Sequence, residues 1–301
     1  MPFANLVRWT AAERLWQGQG MVLDSHHLIS WLAGIGIRVP AGFGVSLMPF
    51  RSPYNAALEA RSVALASGHP VVACFGPGSA LIQEGVLGAR YRSPLRASRE
   101  YVQIVRGLLD GGLVELAGEY YQVSANLIGS PSPPVTVGLG VLRPGMAEVA
   151  GEVADVAVTW LGSAGYLGDV LVPAVRSADR RIGGQVSVTA IVPVALAGPD
   201  RDVARLAAAA CGSHIQLPHY QETLSLAGIT LHGDERADAL SLVDGGVFLY
   251  GTVDEIHARL KEFRDAGVDE IVLNATGVGQ ALGPRAALGD LQAILDAVPA
   301  N

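Results

Sequence analysis

The sequence predicts an α/β fold in one domain spanning 1–301, with its strands paired in parallel. Two observations carry this. Short apolar or β-branched runs alternate with longer amphipathic segments, and no short-period repeat or low-complexity linker divides the 301 residues. Composition agrees: the chain is 50% hydrophobic and 16% charged, and its apolar residues are mainly Ala, Val and Leu. Such residues suit parallel strands that are covered by helices on both faces.

In chain order, Phe3–Ala12 reads as a short helical stretch and Glu13–Gln17 as a short strand. Ser25–Gly34 reads as a helix capped by Asp24 or Ser25. Gly36–Leu47 contains the next strand, followed by a helix from Pro53 to about Ala66. Val71–Phe75 is a strand leading through Gly76-Pro77-Gly78 into helical turns. Pro94–Asp110 is a long amphipathic helix, with Tyr101, Ile104, Val105 and Leu108 at helical spacing. Val114–Val123 breaks the rhythm as a hairpin around Gly118, and Ser124–Pro134 is a loop. Alternation resumes with Val135–Gly140 (strand), Pro144–Val153 (helix), Val156–Leu161 (strand), a helix to about Arg181, and Val186–Leu196, the longest β run. A helical insertion over about 199–243 follows, interrupted at Pro218 and Gly228. After the short apolar run Val247–Tyr250 come a helix over Val253–Ala266, the strand Glu270–Asn274 and a closing helix over Leu288–Ala297.

Seven strands come out of this reading, and the alternation alone leaves open an open doubly wound sheet or a closed barrel. An eight-stranded barrel begins with a strand before its first helix. If this is a barrel, its first strand is missing or irregular, which leaves two sheet edges to be dealt with.

The formal charge of -7 and the lack of a basic stripe argue against nucleic acid as a partner. Cys74 and Cys211 have no CxxC spacing and are expected as buried free thiols in a reducing cytoplasm. No signal peptide opens the chain, and every apolar stretch is broken well before the ~18 residues that a membrane span needs. The histidines are too scattered for a metal site.

Four segments together resemble the bacterial-luciferase-like family, which contains flavin-dependent monooxygenases and F420-dependent oxidoreductases. They are Arg143-Pro144-Gly145-Met146 with Ala150-Gly151-Glu152-Val153-Ala154-Asp155; Gly251-Thr252-Val253-Asp254-Glu255 with Ala266-Gly267-Val268-Asp269; Gly42-Phe43-Gly44-Val45 running to Arg51-Ser52-Pro53; and Gly76-Pro77-Gly78. The similarity covers nearly the whole chain from Arg14 onward. It implies a TIM-type (β/α)8 barrel with the cofactor ring across the C-terminal ends of the strands.

The resemblance also implies a non-prolyl cis peptide at Gly44-Val45 behind that ring, where an ordinary strand glycine is the alternative. Gly76, Pro77 and Gly78 would bring backbone close to the ring, or simply permit a turn. Leu142, Arg143, Pro144 and Gly145 precede a helix whose first N–H groups lack internal partners. That is a natural site for the anionic tail, although Arg143 itself is as readily a solvated side chain. Gln17 is a further candidate for the cofactor.

Deazaflavin enzymes of this family commonly carry an Asp-His pair after the Trp of an early strand. Here Gln19 and Gly20 stand there, and Ser79 stands where some relatives have a glutamate. Gln19 and Ser79 are therefore the candidate catalytic positions, able to orient a carbonyl but not to relay protons as a carboxylate or imidazole does. Asp24-Ser25-His26-His27 reads better as a helix cap than as a catalytic pair. Pro218-His219-Tyr220 resembles a family segment lining the substrate cavity.

The run Arg14-Leu15-Trp16-Gln17-Gly18-Gln19, with the glycine turns, resembles a subgroup associated with lanthipeptide tailoring. It implies an F420-dependent reductase acting on dehydroalanine in a modified peptide, or on another small electron-poor C=C, in a cytoplasmic homodimer. An FMN-dependent monooxygenase and a non-catalytic binding member of the family are the alternatives.

Overall fold

The computed structural model describes residues 2–298. Helix α1 (Pro2–Trp9) comes first and strand β1 (Leu15–Gln17) second, so no strand precedes the first helix among the described residues. Then follow α2 (Ser25–Gly34), β2 (Ala41–Leu47), α3 (Pro53–Ser67), β3 (Val71–Gly76), α4 (Ala80–Leu87) and α5 (Pro94–Leu109). The hairpin expected around Gly118 is β4 (Val114–Ala117) with β5 (Gln122–Ala125), antiparallel. Alternation continues through β6 (Val135–Gly140), α6 (Pro144–Val153), β7 (Val156–Trp160), the single turn α7 (Ala164–Tyr166), α8 (Val172–Ile182) and β8 (Ser187–Leu196). The expected insertion is three helices: α9 (Val203–Ile215), α10 (Pro218–Leu226) and α11 (Glu235–Asp244). Last come β9 (Leu249–Gly251), α12 (Val253–Asp265), β10 (Glu270–Asn274), α13 (Thr276–Leu282) and α14 (Pro284–Asp296).

Polar residues start these helices where the sequence predicts. Asp24 accepts from the His26 and His27 N–H groups, Ser52 caps α3, and Thr252 and Glu255 form a capping box on α12. The chain end departs from expectation. In place of one closing helix there are two, because Gly283 takes a left-handed φ of 92° and Pro284 opens α14. Gly277, a residue that argues against a helix, is needed in α13: a Cβ there would lie 2.2 Å from the Leu206 carbonyl oxygen of α9.

The parallel sheet has eight strands, in the order β1-β2-β3-β6-β7-β8-β10, with β9 paired off this path to the tail of β8. Period-two alternation sorts the side chains. Phe43, Val71, Phe75 and Leu139 face outward into the main core under the helices. Val72, Cys74, Val156 and Val158 face inward with Trp16, Val45 and Ile191. Trp16 fills space left by Gly42, where a Cβ would sit 2.4 Å from the indole. The sheet curls until its ends meet through side chains: the Trp16 indole N–H donates to Glu270 Oε1 at 2.8 Å, and Arg14 pairs with the same oxygen at 3.0 Å. No ladder joins β1 to β10. The fold is thus the TIM-type barrel with a seam. A strand preceding α1 in a right-handed β-α-β unit would lie on that seam.

Candidate functional site

A cavity of about 2130 Å³ opens at the C-terminal ends of the strands, where chemistry on barrels gathers. Its floor is built around Val45. The Gly44-Val45 peptide is cis, and the β2–β3 register slips between Phe43 and Ser46. The bulge directs Val45 between β3 and β6, and two glycines make the room. A Cβ on Gly76 would lie 2.9 Å from Val45 Cγ2, and one on Gly140 would lie 2.9 Å from Val45 Cγ1. The backbone of both strand ends therefore stays low beneath the mouth. The sequence marks Gly76 for this floor but not Gly140, because the role of Gly140 depends on Val45 being there.

The turn after β3 is held from outside. Gly78 takes a φ of 71°, and the buried Gln83 amide donates to the Pro77 and Gly78 carbonyls at 3.1 and 2.9 Å. Ser79 caps α4, its Oγ accepting from the Ile82 N–H at 3.3 Å. Its hydroxyl proton remains available to the cavity it lines. Gln19 is more committed: its Nε2 donates to Gly20 O at 2.8 Å and its Oε1 accepts from the Leu47 N–H at 3.2 Å. That amide braces the loop after β1 against the end of β2. Gln17 is half-buried at the end of β1 and lines the cavity.

Arg143 is the N-cap residue of α6 and Pro144 its first residue, and no side chain caps this helix. First-turn donors such as the Gly145 N–H are left for an outside acceptor. The Tyr166 hydroxyl donates to the Leu142 carbonyl at 3.0 Å and holds the approach to the helix. The Arg143 guanidinium pairs with Glu222 of α10, so its charge is shared with a carboxylate before any anion arrives. Replacing Glu222 by glutamine is expected to tighten binding of an anionic cofactor by about two- to five-fold, the scale of a partly exposed pair. Fluorescence titration at low and high salt checks this, and the gain should vanish at high salt.

The opposite wall is aromatic. Trp160 at the end of β7 meets His214 of α9 edge-on, ring centroids 5.5 Å apart, and His214 meets Tyr220 of α10 at 5.3 Å. His219 tilts against Tyr220 at 4.5 Å. Burial lowers the pKa of His214, and burial with the Arg143 charge lowers that of His219. Trp160 Nε1 and His214 Nδ1 are buried without a protein partner, and both residues line the cavity. A bound ligand with polar edges would satisfy them. Pro218-His219-Tyr220 lies on this wall as the sequence suggests. Trp160 is readable as an aromatic residue at a strand end, but nothing local to His214 marks it.

The remaining residues singled out in the sequence lie outside the cavity. His26 is buried, stacked on Phe43 with centroids 4.0 Å apart, and its Nδ1 faces Arg51 at 3.1 Å; with His27 it starts a capped helix. Cys74 and Cys211 are free and buried, and burial pushes the Cys211 thiol up to about 12. Among the described residues no group of three or more His, Cys, Asp or Glu could hold a metal. No described helix is long and apolar enough to cross a membrane.

A floor of backbone and Val45, unpartnered polar atoms at its edge and an uncapped helix start beside an arginine fit a flat heteroaromatic ring with an anionic tail. Comparison with solved structures agrees with the fold. An F420-dependent tetrahydromethanopterin reductase from Methanopyrus kandleri gives a TM-score of 0.74 at 20% identity, covering 98% of this chain and 93% of that one. An F420-dependent secondary alcohol dehydrogenase, solved with an F420-acetone adduct, gives 0.74 at 16% identity, covering 99% and 93%. The EDTA monooxygenase from Chelativorans sp. BNC1 gives 0.68 at 17% identity, covering 97% and 84%. No curated protein matches in sequence. The profile of one family matches residues 7–270, most of the chain, and by that match the protein belongs to the luciferase-like monooxygenase family.

Proposed function

We propose that the protein is an F420H2-dependent reductase that adds hydride to an electron-poor C=C, and that its substrate is a dehydroalanine residue in a modified peptide of the lanthipeptide kind. The observation that carries this reading is the neutrality of the cavity floor and wall. Val45 sits among Gly44, Gly76 and Gly140; the uncharged polar groups lining the cavity include Gln17, Ser79, Trp160 and a His214 whose pKa burial lowers, and the charged lining residues Arg14 with Glu270, Arg90 with Glu84 and Arg143 with Glu222 are paired with one another. The uncharged groups orient a carbonyl; they are not strong acids. An α,β-unsaturated amide does not need one, because its conjugated carbonyl already draws electron density from the β-carbon.

When bound, reduced F420 supplies the hydride. At the substrate, the β-carbon gains it, the π pair moves to the α-carbon, and a proton from water completes the C–H bond there. Ser79 and Trp160 are the donors we assign to the carbonyl. Gln19 acts by keeping the end of β2 in place, and Gly145, Pro144 and Arg143 hold the anionic tail at α6. The F420-dependent structures with TM-scores of 0.74 support the deazaflavin. We propose a cytoplasmic protein, the compartment in which its two buried free thiols stay reduced, and a homodimer, on the strength of exposed apolar side chains such as Trp31 and Leu58 on the adjacent helices α2 and α3.

An FMN-dependent monooxygenase is the second reading, favoured by the structural likeness to EDTA monooxygenase. Incubation with F420 or FMN, desalting and absorbance of the protein peak test both. We expect F420 to co-elute and hydride transfer to proceed without oxygen. FMN retention with oxygen consumption would move the assignment to the monooxygenase. Retention of neither would leave a non-catalytic member of the family.

A further inference from the structure

Helix α4 docks on the barrel through an amide. Leu81, Val86 and Leu87 of this helix are exposed, and its one buried side chain is Gln83, 4% exposed. Helices usually dock through an apolar stripe, so a buried polar side chain in that place calls for a reason. Its Nε2 donates to the Pro77 carbonyl at 3.1 Å and to the Gly78 carbonyl at 2.9 Å, and its Oε1 accepts from the Tyr91 N–H at 3.0 Å. Two groups that only accept and one that only donates fix which end of the amide lies where. Both of its N–H bonds are used, so Gln83 has no donor to offer a ligand.

The hairpin of β4 and β5, which interrupts the alternation of strands and helices, supports this network from behind. The buried Glu100 carboxylate of α5 accepts from the N–H groups of Glu119, Tyr120 and Tyr121 at 2.9, 2.9 and 3.2 Å, and so docks the hairpin turn on α5. The Tyr120 hydroxyl then accepts from the Ser93 N–H at 2.6 Å, and the Tyr121 hydroxyl meets that of Tyr91 at 3.1 Å. Tyr91 is thereby held at its phenol by the hairpin and at its main chain by Gln83.

Peptide geometry gives the consequence for the turn after β3. The one cis peptide among the described residues is Gly44-Val45, so the Pro77-Gly78 and Gly78-Ser79 peptides are trans. In a trans peptide the C=O and N–H point opposite ways. Carbonyls held on Gln83 therefore turn the Gly78 and Ser79 N–H groups to the other side. Among the described residues no acceptor receives either of them.

We propose that Gln83 is a positioning residue for the cofactor: it holds two carbonyls of the Gly76-Pro77-Gly78 turn so that the Gly78 and Ser79 N–H groups face the polar edge of the ring. The hairpin is its rear support. This inference rests on the cofactor site described above and adds what keeps one wall of it in place.

Exchanging the amide for a carboxyl tests it. Gln83→Glu keeps the size and the acceptor for Tyr91 but puts an oxygen where the two carbonyls need a donor. Protonated, that oxygen donates to one of them; ionised, it repels both. Burial beside two carbonyl oxygens raises the pKa of the new carboxyl, so the turn is held at acid pH and released as pH rises. The readout is the affinity of the variant relative to the wild type, for whichever of F420 and FMN the wild type binds. This ratio cancels ionisation of the cofactor and of groups common to both proteins. We expect Gln83→Glu to bind within about three-fold of the wild type at pH 5 and about ten-fold or more weaker at pH 8. Gln83→Met, with neither an amide donor nor a charge, should be about ten-fold weaker at both.

Thermal midpoints are measured on the same samples, and titrations run well below them. A side chain that only anchors α4 would move the midpoints and leave the ratio alone. A Gln83→Glu ratio that does not change with pH overturns the proposal, as does Gln83→Met binding like the wild type. If Gln83→Glu does not fold at pH 8, the comparison at pH 5 decides: Gln83→Glu no tighter than Gln83→Met overturns it. A flat ratio read with F420 removes the Gln83 proposal alone. The expected ratio read with FMN keeps it and removes the reductase reading, and a wild type that binds neither cofactor ends both.

Discussion

Replacing Gly140 by valine will weaken cofactor binding by roughly ten- to a hundred-fold while the protein stays folded. A Cβ at that position lies 2.9 Å from Val45 Cγ1 and 3.5 Å from the Phe75 carbonyl, and Val45 is hemmed in on its other side by Gly76. With both flanks closed, Val45 can yield only upward, into the space the ring needs. Overpacking of this kind costs about 1–3 kcal/mol, and about 1.4 kcal/mol is a factor of ten in affinity. The displaced group faces an open cavity, so most of the cost falls on binding and little on folding. Titration of the variant with F420, beside its thermal midpoint, reads the two effects separately. Adding Val45→Ala to Gly140→Val restores the volume and should recover most of the affinity. A double variant no tighter than the single one would show that Val45 does not shape the floor.

Acidification from pH 7 to pH 4 will cost the fold about 3 kcal/mol through His26. This side chain is 3% exposed, and its pKa falls from 6.5 to about 4, first by burial and then by the Arg51 charge, with Asp24 pulling the other way. The unfolded chain takes up a proton near 6.5 and the folded chain does not until about 4, so unfolding binds protons throughout that window. Stability therefore rises with pH across it and is lost as pH falls.

Burial pushes Asp24 up, but the His27 N–H and the charges on His26 and Arg51 outweigh it and leave Asp24 lowered; that loss comes lower on the acid side. Burial raises Glu59 beside Arg51, which opposes the trend, since a raised carboxyl stabilises the fold at acid pH. Urea unfolding at half-unit pH steps checks the slope, and His26→Gln should flatten it. An unchanged slope in that variant would move the acid sensitivity elsewhere.

Much of the site is legible in the sequence once its resemblance to the family is taken with local turn and cap signals. Gly44-Val45 stands out only through the resemblance to the family, whereas Gly76-Pro77-Gly78 and Arg143-Pro144-Gly145 are also readable as a turn and a helix start, because turn and cap preferences act within a few residues. The caps at Asp24 and Thr252 are equally readable. Gly140, Trp160 and His214 are not. Gly140 matters because Val45 of another strand leans on it, and His214 matters because α9 and α10 fold across the mouth. Their significance is a property of contacts between elements far apart in sequence.

Gln19 shows the reverse case. Its position after the Trp of β1 suggests a catalytic group, but the Gly20 carbonyl and the Leu47 N–H occupy its amide. A sequence shows which groups a residue carries and not which partner reaches them first.

By itself the sequence determined the alternation of strands and helices, the turn glycines and the helix starts, because propensity, periodicity and capping act over three to five residues of chain. Only the tertiary structure decided that the sheet closes through Arg14, Trp16 and Glu270, and that Val45 rests between two glycines. Those outcomes depend on which side chains fill a shared volume. Packing settles that between residues up to 254 positions apart, beyond the reach of any local preference.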